Sequence, residues 1–443
     1  MNTRSMLGTL IRPLTDPRTL PLTVTIVLFV ALFGFGSVMY TGFFSLQVLL
    51  DLLVDNAFLL IVSIGVTFVI LSGGIDLSVG SVVAFTTIAE AVMAEHWHWP
   101  VWVIVPLVLL IGTAFGAAQG ALIYFFKLQP FVITLAGMFV ARGVCFLISL
   151  DSIPITDPTF KAIAGLRVPL GSASVSTNVL IAVVTLLVAV YVAHYSRFGR
   201  NVYAIGGNER SALLMGLPVA STKVGVYAVS GFCSALGGVA FTFYVLSGYG
   251  LQAQGMELDA IAASVIGGTL LTGGVGYVVG TLFGVGILGT IQTLITFDGT
   301  LSSWWTRIFI GALLCIFCLL QRVIERHARA DRRTGGTAEG GRARHVEGPA
   351  AKTPSAASVS GSAAGNVTGA LTRSTTGNRA ADAAASAVEI AAAPASTDGV
   401  SPAWRDTVPT RVRESSQAPR MRLATAVLRA VSRYRTDPSG NQA

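Results

Sequence analysis

The chain has 443 residues, of which 53% are hydrophobic and only 12% are charged, about half the charged share of an ordinary soluble protein. This composition argues against a soluble enzyme. The net charge of +8 comes from the two ends of the chain, because residues 21–320 hold more acidic than basic residues. A nucleic-acid partner is therefore not indicated.

Ten apolar runs follow one another in the first three-quarters of the chain, each near the roughly 20 residues that a helix needs to cross a bilayer. They cover about residues 21–41, 48–72, 79–95, 101–126, 130–150, 178–195, 223–247, 257–272, 276–297 and 304–321. We therefore predict an all-α polytopic membrane protein with about ten transmembrane helices, some of them broken by glycine. The transmembrane domain would occupy residues 21–325.

Basic residues predict the orientation, since short cytoplasmic loops are enriched in Lys and Arg. Arg197, Arg200, Arg210 and Lys223 share the loop after the sixth run. With ten crossings, this loop, the N-terminal segment 1–20 and the C-terminal tail fall on the same side. We predict that both termini are cytoplasmic and that residues 151–177 face outward.

The chain changes character after Arg322. Residues 326–443 are basic and rich in Ala, Ser and Arg, with few large apolar side chains. Such a segment cannot bury enough surface to offset the entropy lost on ordering. We predict that it is a disordered cytoplasmic tail.

An internal repeat relates residues 69–81 to residues 269–281. Gly73, Gly74 and Gly80 of the first copy align with Gly273, Gly274 and Gly280 of the second. Glycine-broken segments at matching places in two halves are common beside the pathways of transporters. Both copies are thus predicted to form hairpins, which either border a pathway or serve only as turns between helices.

Sequence signals of catalysis are absent. No Gly-Lys pair occurs, so the chain has no P-loop, and there is no G-x-S-x-G motif. The G-x-G-x-x-G spelling at 284–289 lies inside an apolar run, where small residues serve helix packing. We predict that the chain is not an enzyme and that it holds no catalytic, metal or cofactor-binding site.

Polar residues within the apolar runs are candidates for function, since burying them in lipid is costly. Asp76 either caps the following helix or contacts a solute, and capping is favoured. For Glu257 and Asp259 the sequence favours neither helix capping nor contact with a solute over the other. The further pathway candidates are Asn56, Phe131 and Thr134.

The loop after the sixth run carries a short apolar helix on the aqueous side of the membrane. Asn208 is the predicted N-cap of a helix over 209–215, which Gly216 and Pro218 end. Apolar side chains facing water indicate a partner protein. We name this segment the coupling loop, because it would connect the transmembrane domain to that partner. The residues assigned to it are Gly206, Gly207, Asn208, Ser211, Ala212, Leu214, Met215 and Gly216.

The loop and the two glycine hairpins resemble the ribose/galactoside class of sugar ABC-importer permeases. Segments 129–138, 152–155 and 297–306 are most similar to the galactofuranose permeases of that class, and the resemblance covers about residues 20–325. It implies a bacterial inner-membrane permease that pairs with a second, homologous permease subunit as a heterodimer. A cytoplasmic ATPase would bind the loop helix and use ATP, and a periplasmic binding protein would deliver a pentose or a galactofuranose-like sugar.

The sequence leaves two other classes of function open. An ion-coupled secondary carrier would use Asp76, Glu257 and Asp259 as coupling carboxylates but would not need the apolar loop helix. A membrane anchor for the basic tail would not need ten crossings.

Overall fold

A computed structural model describes residues 20–170, 173–299 and 304–319 of the chain. The predicted tail, residues 326–443, and almost all of the N-terminal segment 1–20 lie outside the described residues. The described part is built mainly of helices, joined by short loops and a few two- to four-residue strands.

Thirteen helices and four strands follow one another in the described residues. The helices of the first half are α1 (Leu20–Met39), α2 (Leu46–Leu71), α3 (Val79–Glu95), α4 (Val101–Phe125), α5 (Pro130–Ile148), α6 (Pro158–Gly165) and α7 (Thr177–Tyr195). Those of the second half are α8 (Arg197–Gly207), α9 (Glu209–Leu214), α10 (Val219–Val245), α11 (Met256–Ile266), α12 (Val278–Asp298) and α13 (Trp304–Leu319). The strands are β1 (Ile153–Pro154), β2 (Arg167–Leu170), β3 (Ala173–Ser176) and β4 (Ser247–Gly248).

Seven of the described helices are long and apolar enough to cross a membrane, namely α1, α2, α4, α5, α7, α10 and α12. The expected number of about ten is not confirmed. Helix α3 matches the predicted run 79–95 but has only 17 residues, and α11 ends after 11 residues at Gly267, short of the predicted residue 272. Hydropathy predicted a longer α11 because it does not distinguish an apolar helix from an apolar turn.

Helix α2 forms the centre of the bundle. Every residue from Leu59 to Leu71 is buried, and the helix packs against α7, α10, α11 and α12. Helix α10 joins the core to α4 through glycines: a Cβ at Gly112 would lie 2.6 Å from the Cβ of Ala235, and one at Gly120 would lie 2.9 Å from Val224 Cα. Small residues at helix crossings let the backbones approach this closely.

Helices α1 and α5 lie at the edge of the bundle. Their apolar side chains are largely exposed, as Val38 at 87% and Leu147 at 87% show. Large exposed apolar surface is unusual for a protein surrounded by water. It fits helices that face lipid or another membrane protein.

The segment between α5 and α7 carries small strands at the end of the bundle opposite α8 and α9. Strands β2 and β3 pair antiparallel, and β1 pairs antiparallel with β4, which follows α10. The Glu95 carboxylate at the end of α3 accepts hydrogen bonds from the backbone N–H groups of Thr156 and Asp157. These contacts hold the segment against the helix ends.

Candidate functional site

The coupling loop of the sequence analysis consists of two helices, α8 and α9. The predicted N-cap is confirmed: the Asn208 side chain accepts a hydrogen bond of 2.9 Å from Ser211 N. Gly216 has a φ of +76°, which favours glycine, and it follows the end of α9 by two residues. Lys223 at the start of α10 donates a 2.7 Å hydrogen bond to Glu209 and ties α9 to the bundle.

The exposed side of α9 is apolar. Leu213 is 58% exposed, Leu214 88% and Met215 67%. Leu213 also lines a groove of about 480 Å³, which Phe125 at the end of α4 and Leu128 of the α4–α5 connection border on its other side. The surface formed by Leu213, Leu214 and Met215 is named the α9 surface below.

The structure corrects the sequence interpretation of this loop at two places. Ala212 was expected to face water, but it is completely buried against Ile205 and Val219, because α9 folds back onto α8 and α10. Gly206 and Gly207 were assigned to a loop. They are the last two residues of a helix, α8.

The two glycine hairpins meet each other at the α8 end of the bundle. Hairpin 1 comprises residues 72–78 and hairpin 2 residues 267–277. Gly73, Gly273 and Gly274 have φ of +79°, +82° and +75°, a region that L side chains rarely adopt. Gly274 N donates a 2.9 Å hydrogen bond to Leu71 O, so hairpin 2 completes the end of the helix that precedes hairpin 1.

Helix α8 packs tightly against Leu71 and Gly274, where the two hairpins meet. A Cβ at Gly206 would overlap Leu71 O and would lie 2.5 Å from Gly274 N. One turn earlier, the Tyr203 hydroxyl donates a 2.8 Å hydrogen bond to Gly276 O. The helix that leads into α9 therefore contacts hairpin 2 and the end of α2, the helix that precedes hairpin 1.

Asp76 lies on the extended part of hairpin 1 and is 1% exposed. Its Oδ1 accepts hydrogen bonds from Ser78 N at 2.9 Å and Ser78 Oγ at 2.7 Å, and its Oδ2 accepts one from Ser230 Oγ at 2.7 Å. Ser78 occupies the N-cap position of α3 without a side-chain capping bond, and Asp76, two residues before it, accepts the free N–H of Ser78 at the start of the helix, the role that was favoured for it. The carboxylate also ties hairpin 1 to α10.

Three further candidates lie at close helix contacts. Asn56 is buried and donates to Leu52 O within α2, and a Cβ at Gly289 would lie 2.5 Å from its Nδ2. Gly80 faces the Glu257 carboxylate, and Gly280 faces Gly267. The close approach of the chains accounts for glycine at both positions. Their assignment to a solute pathway stays a prediction.

Phe131 and Thr134 lie on the first two turns of α5. Phe131 is 51% exposed, whereas Thr134 is completely buried. The Thr134 hydroxyl donates 2.9 Å to Pro130 O and lies 3.4 Å from Ile75 O in hairpin 1. Thr134 thus places α5 against the first hairpin.

Glu257 and Asp259 lie in the first turn of α11 and point to different surroundings. Glu257 Oε1 accepts a 3.3 Å hydrogen bond from Gly255 N on the side toward α3. Asp259 borders a cavity of about 430 Å³, where its Oδ2 lies 3.8 Å from Arg307 Nη1. The two carboxylates therefore do not form one site.

Comparison with known proteins identifies the type of protein that carries these hairpins. Residues 48–318 match the family model described as branched-chain amino acid transport system / permease component. The chain belongs to this family. Its members are membrane permeases of ABC transporters, so this permease is not an enzyme.

Named relatives cover nearly the same region of the permease. It is 50% identical over 307 residues to the inner membrane ABC transporter permease protein YjfF of Escherichia coli K12, which covers 69% of this chain and 92% of that protein. It is 36% identical to the fructose import permease protein FruG of Bifidobacterium longum, over 70% of this chain and 92% of that one. It is 34% identical to the ribose import permease protein RbsC of E. coli K12, over 67% and 92%. No solved structure matches.

Several residues at these sites were not predicted from the sequence. Tyr203 was in a segment interpreted as loop, and Tyr227 of α10, whose hydroxyl would lie 2.5 Å from a Cβ at Gly74, was in an apolar run without a polar signal. Arg307 could have been found, because it is the only charged residue of the apolar run 304–321. A lone charge in such a run indicates a functional position.

Proposed function

We propose that this permease forms part of the membrane pathway of an ATP-driven importer for a monosaccharide. The names of the relatives, which include fructose and ribose import permeases, support a sugar substrate. The motif similarity noted in the sequence favours galactofuranose or a pentose. A periplasmic binding protein would deliver the sugar, and the chain would work with a second, homologous permease subunit in the bacterial inner membrane.

The observation that carries this proposal is the α9 surface together with the contacts that the neighbouring α8 makes to hairpin 2 and to the end of α2. Three neighbouring apolar side chains are exposed on a helix that ends in a tight turn and is tied to α10 by an ion pair. An apolar surface that the permease does not cover favours a protein partner. A cytoplasmic ATPase bound there would push on α8, and α8 would transmit the movement to Leu71, Gly274 and Gly276.

The orientation in this proposal rests on the basic residues that surround the α9 surface. Arg197, Arg200, Arg210 and Lys223 belong to the same end of the bundle. By the positive-inside rule this end is cytoplasmic, with both termini on that side. The β2–β3 hairpin at the opposite end would then face the binding protein.

The experiment is to replace Leu214 with Asp in the assembled importer. A carboxylate buried without a partner costs several kcal/mol, so we expect Leu214→Asp to lose the ATPase during co-purification and to stop ATP-driven uptake. Leu166→Asp is the matched control for ATPase retention, since Leu166 is also an exposed leucine, 58% accessible, but lies at the opposite end of the bundle. Retention of the ATPase by Leu214→Asp, with uptake at the level of the unchanged importer, would overturn the proposed coupling role.

A second measurement separates the importer from a secondary carrier. The permease is reconstituted alone in liposomes and exposed to a proton or sodium gradient. We expect no sugar accumulation without the ATPase and ATP. Gradient-driven uptake by the permease alone would contradict the importer.

A further inference from the structure

A polar cavity of about 430 Å³ lies at the end of the bundle opposite the α9 surface. The first turn of α11, the last two turns of α12 and the first two turns of α13 border it. Its size falls within the range of small-molecule sites, roughly 300–1,000 Å³. The lining residues are Asp259, Gln292, Ile295, Thr296, Gly299, Thr306, Arg307 and Ile310.

The chemistry of the lining contrasts with the surface around it. Neighbouring side chains of α13 are apolar and exposed, among them Ile308, Phe309 and Ile316. Placing a carboxylate, a guanidinium and an amide beside such an apolar surface costs free energy unless these groups face water, a solute or another protein. Asp259 of α11, Gln292 of α12 and Arg307 of α13 converge on one cavity.

Among the residues that the structure describes, the charged groups of the cavity leave most of their hydrogen-bonding capacity unused. Asp259 Oδ2 and Arg307 Nη1 are 3.8 Å apart, beyond the usual length of a hydrogen bond. The Asp259 side chain is 24% exposed and that of Arg307 54%. The guanidinium also lies over Gly255, where a Cβ would be 2.7 Å from Nη1, so it is positioned by the backbone turn before α11.

This combination selects the class of ligand. Aspartate accepts hydrogen bonds, arginine donates them, and the glutamine amide does both. Adjacent hydroxyl groups of one molecule can satisfy all three, because each hydroxyl both donates and accepts. The opposite formal charges of Asp259 and Arg307 offset each other, which favours a neutral ligand over an ion.

We propose that the cavity lined by Asp259, Gln292 and Arg307 is a binding site for a neutral monosaccharide as it enters the pathway. The proposal rests on the proposed function and adds to it the place where the permease itself recognises the hydroxyl groups of the sugar. It assigns Gln292 and Arg307 a role in choosing the substrate. Asp259 is the member of the set that the sequence had already singled out.

The test is protection of a cysteine placed in the cavity. Thr306→Cys is introduced into full-length permease in which Cys315 and Cys318 are replaced by Ser, and the rate of maleimide labelling is measured in detergent. Ile308→Cys serves as the control, because Ile308 is 58% exposed on the same helix and does not line the cavity. The probes are D-ribose, D-fructose, L-arabinose and D-galactose, with glycerophosphoethanolamine as a lipid-headgroup probe.

We expect at least one of the four sugars to slow labelling of Thr306→Cys and to leave Ile308→Cys unchanged. By mass action, a sugar at about twice its dissociation constant slows labelling about threefold. Adding Asp259→Asn or Gln292→Ala should remove this protection. Gln292 is exposed, so its truncation should leave the fold intact if the aspartate variant does not assemble.

Three results would overturn the assignment. They are an absence of protection by all four sugars, protection that survives both Asp259→Asn and Gln292→Ala, and protection by glycerophosphoethanolamine alone. If the assembled importer takes up sugar but Thr306→Cys is not protected, the cavity assignment fails and the proposed function stands. If the cysteine is protected but uptake never requires ATP, the proposed function fails and the cavity remains a sugar site.

Discussion

Gly206→Ala is expected to disrupt the contact of α8 with hairpin 2 and with the end of α2. The added Cβ would overlap Leu71 O and lie 2.5 Å from Gly274 N, both backbone atoms that cannot rotate away. Overpacking of this kind costs about 1–3 kcal/mol. Separation of Leu71 O from Gly274 N would add about 1 kcal/mol for their hydrogen bond.

Gly207→Ala is the matched control, because Gly207 is the next residue of α8 and a Cβ there has no atom within 4 Å. Alanine is favoured over glycine in a helix by about 0.5–1 kcal/mol, so this variant should be neutral or slightly stabilised. The two variants should therefore differ by about 2–4 kcal/mol in stability.

The measurement is thermal unfolding of the purified permease in detergent, followed by ATP-driven sugar uptake in the assembled importer. For a chain of this size the midpoints should differ by about 2–4 °C, with Gly206→Ala the lower. Uptake per ATP hydrolysed should fall in Gly206→Ala and stay normal in Gly207→Ala. Equal midpoints and equal coupling in the two variants would refute the wedged position of α8.

Two other predictions concern the same contacts. Gly74→Val and Gly274→Val should impair transport more than Gly34→Val at equal membrane abundance, because a Cβ would lie 2.5 Å from Tyr227 Oη at Gly74 and 2.6 Å from Gly207 N at Gly274, and would meet nothing within 4 Å at Gly34. Similar uptake in all three variants would show that the hairpin glycines have no special role in transport. Tyr203→Phe removes the 2.8 Å hydrogen bond to Gly276 O and should destabilise the permease by about 1 kcal/mol. An unchanged unfolding midpoint would show that this bond contributes little.

Local features of the coupling loop were predictable because they depend on neighbouring residues. An asparagine after two glycines and before a short apolar segment indicates an N-cap, and a Gly-x-Pro pattern ends a helix. Asn208 and Gly216 fulfil these roles in the structure. The buried side of α9 was not predictable in the same way. A helix of six residues has too few apolar positions to define a face, so the burial of Ala212 depends on α8 and α10.

The sequence predicted the two hairpins but not the contact between them. The repeat correctly paired Gly73 with Gly273, and both adopt positive φ. The contact of the two turns with each other, and of hairpin 2 with Gly206, depends on packing between segments more than 60 residues apart along the chain. The same packing shortens α11, since Gly267 leaves the helix where it contacts Gly280. Hydropathy carries no information on such contacts.

Asp76→Asn separates a structural carboxylate from one that carries protons. Asp76 accepts three hydrogen bonds, two from Ser78 and one from Ser230. An asparagine keeps one oxygen for Ser78 N and Oγ, and its NH₂ group can donate to Ser230 Oγ, because a hydroxyl also accepts. An alanine instead leaves a buried N–H and two hydroxyl groups without their acceptor, at about 1–3 kcal/mol for each group that finds no other partner.

We therefore expect Asp76→Asn to retain most of the uptake and stability of the unchanged permease, and Asp76→Ala to lose both. Ser230→Ala provides the control, since it removes one partner and leaves the bonds to Ser78 in place. Uptake is compared at equal membrane abundance, together with the unfolding midpoint in detergent. If Asp76→Asn unfolds at the normal temperature but transports no better than Asp76→Ala, the negative charge itself is required. Asp76 would then be a coupling carboxylate, as in an ion-driven carrier, and its hydrogen bonds to Ser78 and Ser230 would serve to hold that charge in place.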